Sequence, residues 1–153
     1  SDSKSKSAKP SRSDTASASS TAPVACKDSA MSVTASTDAA SYQVGATPRL
    51  RMRITNSSDT ACKRDVGAPA NELIINFEGS QFWSSDDCNP GGDPDVVVLD
   101  PKQSYSVTYT WTGNQSKQGC PSGLPAAGAG TYELIGRNGD VRSEPQSFSL
   151  TGN

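Results

Sequence analysis

The segment Arg49-Leu50-Arg51-Met52-Arg53-Ile54-Thr55 alternates polar and apolar residues without a break. A strand sends successive side chains to opposite faces, so period two marks a strand with one wet face and one buried face. Leu50, Met52 and Ile54 are expected in a core, and Arg49, Arg51 and Arg53 in water. Asn56-Ser57-Ser58-Asp59 then supplies turn chemistry.

The same period recurs on both sides. Met31, Val33 and Ala35 alternate with Ser32 and Thr34, and Tyr105, Val107, Tyr109 and Trp111 alternate with Ser106, Thr108 and Thr110. Leu73-Ile74-Ile75 with Phe77 reads as a central strand. Gln81-Phe82-Trp83 extends it past Gly79, where a bend or bulge is expected. Tyr42 to Gly45 is a kink or short strand, and Val96 to Leu99 is a short strand stopped by Asp100-Pro101. Tyr132 to Arg137, a tight turn at Asn138-Gly139 and a last strand from Val141 to Leu150 complete the series. Roughly seven to eight short strands separated by turn signals predict an all-β, antiparallel, immunoglobulin-like β-sandwich.

Residues 1–25, SDSKSKSAKPSRSDTASASSTAPVA, contain no aromatic residue. Such a segment buries too little apolar surface to offset its ordering entropy. The expected organisation is therefore a disordered Ser-rich linker over 1–25 and one sandwich domain over 26–153. No apolar run is long enough to cross a bilayer. Any membrane attachment is expected through an anchor upstream of this segment.

Histidine is absent from the 153 residues. That removes Ser-His-Asp and Cys-His nucleophilic catalysis and every histidine metal site. The net charge of −2 provides no basic field for nucleic acid. No carboxylate pair is spaced for acid–base work, and neither an enzymatic activity nor a cofactor is expected.

Cys26, Cys62, Cys88 and Cys120 are widely separated, with no CxxC pair. Two disulfides are the simpler reading, and they imply an oxidising compartment. Antiparallel partners keep a constant index sum. Val33 opposite Thr55 would bring Cys26 to Cys62, and Ile75 opposite Glu133 would bring Cys88 to Cys120. Bridges 26–62 and 88–120 are expected, out of three possible connectivities.

Asn56-Ser57-Ser58 after a strand, Asp100-Pro101-Lys102-Gln103-Ser104 before an aromatic strand, and Ala129-Gly130-Thr131-Tyr132 at a strand start resemble the immunoglobulin-like family of BsuPI-type proteinase inhibitors. Lys102 stands where that family often has glycine. The Cys26 to Cys62 spacing also resembles exported actinobacterial envelope domains of unknown function. The resemblance covers about residues 26–150 and implies a fold, since its motifs are turn signals.

Candidate sites follow from residue chemistry. Arg49, Arg51 and Arg53 could form a docking stripe for an acidic partner or an anionic wall polymer. Trp83, beside an exposed loop, could join a sugar-binding platform with Phe82 and Trp111. Asp86, Asp87, Asp93 and Asp95 could offer oxygen ligands to calcium, although their spacing departs from an EF-hand and two prolines limit wrapping. Asn56 and Asn114 begin glycosylation-type triplets. The expected function is a monomeric, non-enzymatic interaction module at the outer face of the cell membrane or secreted, binding an envelope or surface protein. The alternative is a protease inhibitor acting through loop 113–130.

Overall fold

The computed structural model describes residues 23–89 and 91–152. The expected linker over 1–25 lies almost wholly outside these residues. The strands are β1 Met31–Thr37, β2 Ser41–Gln43, β3 Arg49–Asn56, β4 Cys62–Asp65, β5 Asn71–Phe77, β6 Ser80–Ser84, β7 Val96–Leu99, β8 Ser104–Thr110, β9 Gly130–Asn138, β10 Val141–Arg142 and β11 Gln146–Thr151. One helical turn, α1 Ser85–Cys88, follows β6. One sheet runs β1-β3-β8. The other runs β2-β11-β9-β5-β6, with β10 paired to β9, and β4-β7 form a separate ribbon. β2 pairs with β11 in parallel and the other strand pairs are antiparallel. Together the two sheets make an immunoglobulin-like sandwich.

The core lies between the sheets. Leu50, Met52 and Ile54 of β3 face Ile75 of β5, Leu134 of β9 and Phe148 of β11, all essentially buried. Trp111, fully buried, packs edge-on to Tyr132 and Phe148 at ring separations of 6.1 Å, and its Nε1 donates to the Asn114 carbonyl. Aromatic rings thus supply much of the apolar volume of the core.

The alternation of β3 is as read from the sequence, but the registers are not. Val33 stands opposite Ile54, and Ile75 opposite Leu134, each one residue from the expected partner. Cross-strand neighbours share a face, so a buried residue needs a buried partner, and Thr55 and Glu133 lie on the outward side. Both bridges nevertheless form as expected, Cys26–Cys62 and Cys88–Cys120. They do not extend the antiparallel ladders. Residues 24–26 leave β1 at a 3-10 turn and run parallel to β4: the Cys26 N–H donates to the Lys63 carbonyl at 2.8 Å, and the Lys63 N–H to Val24 at 2.8 Å. The domain therefore begins slightly before Cys26. Cys88 ends α1, and its partner comes from the loop between β8 and β9.

Three further details depart from expectation. The last strand is broken between Arg142 and Gln146. The hairpin turn residues are Gly139 and Asp140, with Gly139 at φ 59°. Asn138 is instead buried, donating to Asp65 and Asn71 and accepting from Arg64 Nε at 2.6 Å. Asn56 is likewise fully buried. Its amide donates to the Thr60 and Leu99 carbonyls at 2.9 and 3.0 Å, while its Oδ1 accepts from the Ser58 N–H and hydroxyl. That burial removes Asn56 as a glycosylation acceptor. Asn114 is exposed.

Candidate functional site

Arg49, Arg51 and Arg53 all project from the solvent face of β3. Alternate residues on one strand are about 7 Å apart, so the guanidinium stems form an even row. β1 and β8 flank this row in register. Thr34 and Ser106 bracket Arg53, and Ser36 and Thr108 bracket Arg51. Next in line, Thr55 bonds Ser104 through their hydroxyls at 2.7 Å. The face is a strip of three cations between two rows of hydroxyl groups. Among the described residues, no carboxylate lies within ion-pair distance of the three arginines.

One acid closes the end of the strip. Asp38 accepts hydrogen bonds from the Tyr42 hydroxyl and from the Arg49 N–H, and these hold its carboxyl below the usual range. Burial, then the bond to Asp38, pushes the Tyr42 hydroxyl up. Asp38, Ser36, Thr37, Arg49, Arg51 and Thr108 line a shallow depression of about 250 Å³. Arg49, Arg51 and the hydroxyls of Ser36 and Thr108 line it as donors for carboxylate or phosphate oxygens, while the Thr37 hydroxyl donates to the Ala39 carbonyl and Asp38 adds one negative charge at the rim. The arginine row was legible from the sequence. The hydroxyl rows needed the sheet order β1-β3-β8, which places three separate segments side by side.

Trp83 does not join this face. It is 6% exposed and packs against Tyr109 and Trp111 at ring separations of 5.2 and 6.2 Å. Its position on β6 turns the ring inward, so its expected role in partner binding is corrected to a core role.

The four candidate calcium ligands are dispersed. Among the described residues, no group of three or more His, Cys, Asp or Glu could hold a metal ion. Asp86 faces Arg137 at 3.7 Å, and Asp87 accepts from the Ser116 hydroxyl. Asp93 and Asp95 follow a separate course, with the Asp95 N–H donating to Asp65 at 3.0 Å. Arg137 also bonds Glu72 at 3.1 Å, and Glu72 accepts from Ser84. Burial, and next the charge of Glu72, pushes the Asp86 carboxyl up.

The loop between β8 and β9 is anchored at its base. The Ala127 N–H donates to Gly113 at 2.7 Å and the Gln115 N–H to Pro125 at 2.9 Å. Its tip, Lys117 to Gly123, is exposed and tied down by Cys120. Gly119 and Cys120 have φ of 87° and 56°, so the tip is a tight turn, not an extended segment.

No family model and no curated protein matches this chain. Solved structures match it at low identity. A β-glucosidase from Erythrobacter marinus matches 79% of this chain and 15% of its own, at 12% identity and TM-score 0.48. An alkylpurine DNA glycosylase from Pseudomonas fluorescens matches 79% of this chain and 30% of its own, at 11% identity and TM-score 0.46. A CARDB domain from Pyrococcus furiosus matches 80% of this chain and 91% of its own, at 11% identity and TM-score 0.40. The chain thus spans under a third of the length of the two enzymes.

Proposed function

We propose that this domain is a non-enzymatic interaction module of an oxidising, extracytoplasmic compartment, tethered to a cell envelope, that docks an acidic envelope or surface protein on the Arg49-Arg51-Arg53 face. The observation that carries this reading is the even row of three exposed guanidinium groups between hydroxyl rows. Two disulfides favour the compartment, because such bonds persist outside reducing cytosol. No described helix is long and apolar enough to cross a membrane.

The chemistry suits recognition of a surface that presents several carboxylates. A single exposed ion pair contributes only about 0–1 kcal/mol, so three acting together give a weak, salt-sensitive contact with fast association. Replacing Arg49, Arg51 and Arg53 together by serine tests it. Envelope fractions passed over the oxidised domain should yield an acidic partner that the triple variant fails to retain. Equal retention by both would refute the reading.

A second reading, protease inhibition through loop 113–130, draws on the exposed, disulfide-pinned tip. The tight turn at Gly119 and Cys120 makes it the weaker of the two. Replacing the tip without loss of inhibition would end it.

A further inference from the structure

The sandwich is open along one side, beside β8. The residue pairs Asn56–Gln103 and Pro48–Trp111 are hydrogen-bonded across β3 and β8. Every second residue of an antiparallel strand bonds the same neighbour, so Tyr105, Val107 and Tyr109 direct their backbone groups to β3. Ser104, Ser106, Thr108 and Thr110 direct theirs away. Among the described residues, β8 has no second strand neighbour, because β7, which precedes it, turns aside to pair with β4. A row of backbone donors and acceptors is left unpaired.

Beneath this edge lies a groove of about 230 Å³ between β8, β5 and α1. Its floor and β8 wall are apolar, formed by Met52, Leu73, Val107 and the rings of Tyr105 and Tyr109. Its opposite wall carries Glu72 and Asp86. Glu72 is satisfied by Arg137 and Ser84. The only cation near the Asp86 carboxylate among the described residues is Arg137, 3.7 Å away. The volume is below the roughly 300–1,000 Å³ of small-molecule sites. It suits one or two amino-acid side chains.

We propose that β8 is a strand-addition site for an extended segment of a partner protein, with alternate apolar side chains and a lysine or arginine directed at Asp86. An added strand would bond Ser104, Ser106, Thr108 and Thr110. Its residues opposite Tyr105, Val107 and Tyr109 share their face and so point into the groove. The acidic wall selects a cation among them. The groove lies on the other side of the sheet from the arginine face, and the two interfaces meet at Ser106 and Thr108, whose side chains flank the arginines while their backbone groups form the β8 edge.

The test uses the oxidised domain and two blocked heptapeptides. Both alternate valine with threonine; one carries lysine at its last valine position and the other glutamate. Amide exchange at Ser106 and Thr108 should slow about tenfold with the lysine peptide, as expected for newly bonded N–H groups, and little with the glutamate peptide. Thr108→Pro removes an outward donor without costing the β3 ladder a bond, so the fold should stand while protection at Ser106 disappears. Thr108→Ala should keep it. Asp86→Asn should erase the preference for lysine, which decides the matter even if the proline variant fails to fold. No protection at peptide saturation, or equal response to both peptides, would overturn the proposal. Protection that grows with protein concentration alone would overturn it too, by showing a second copy as the occupant.

Discussion

Arg51 of β3 stands directly opposite Thr108 of β8 on the solvent face of the three-stranded sheet. The pair sits at the centre of the strip, where cation and hydroxyl alternate across strands about 5 Å apart. The proposed docking chemistry rests on this neighbourhood. Arg51→Ala should weaken an acidic partner's binding and flatten its salt dependence, with thermal stability within about 0.5 kcal/mol of the parent, as for exposed sites. Titration at two salt concentrations, with a melting curve for each protein, checks both halves.

Asn56 ties the end of β3 to the following β3–β4 loop at Thr60 and to the end of β7 at Leu99. Asn56→Ala leaves buried carbonyl groups unsatisfied and should cost about 2–3 kcal/mol. Urea unfolding measures it. Asn56→Asp should also destabilise, since a carboxylate cannot donate to those carbonyls.

The two disulfides span separations of 36 and 32 residues. Loss of either should lower stability by about 4 kcal/mol on the chain-entropy view. Their structural effects should differ. Replacing Cys88 and Cys120 by serine should speed amide exchange in the Gly113–Gly128 loop first. Replacing Cys26 and Cys62 should loosen β4 and the segment from Val24 to Asp28.

Gly136 on β9 meets Met52 across the sandwich: an added Cβ would lie 2.8 Å from its Sδ and 2.9 Å from its Cγ. Gly136→Ala should cost about 1–3 kcal/mol through overpacking. Combining it with Met52→Ala should cost less than the sum of the single changes, a coupling that a double-mutant cycle reads directly.

The raised Asp86 carboxyl has a pH signature. Its folded value exceeds its unfolded one, so the folded state binds more protons between the two, and stability grows as pH falls through that window. Above the window the charged form costs the fold. Asp86→Asn should therefore melt higher than the parent at neutral pH, and the two curves should converge below about pH 4. Melting temperatures across that range check the sign.

The sandwich was legible because alternation in β1, β3 and β8 records a half-buried sheet directly. The bridges were expected with the right partners through a wrong route. Index sums assumed straight ladders, whereas a 3-10 turn between Cys26 and β1, and α1 between β6 and Cys88, redirect the chain. The register itself could have been read from face matching, since Val33 requires an apolar partner and Ile54 supplies one. β4 escaped notice because Lys63-Arg64-Asp65 carries no apolar alternation. It is held instead by pairing with β7 and by Arg64 bonds to Asp28 and Asn138. Trp83 was misplaced because proximity to a loop in sequence says nothing of which face of β6 its ring takes.

Titration of the isotope-labelled, oxidised domain with a glutamate hexapeptide tests the arginine face most directly. Backbone signals of Arg49, Arg51, Arg53 and Thr108 should move together at low salt, return as salt is added, and stay still in the triple serine variant. Unmoved signals at peptide saturation, or an equal response from the triple serine variant, would contradict the account.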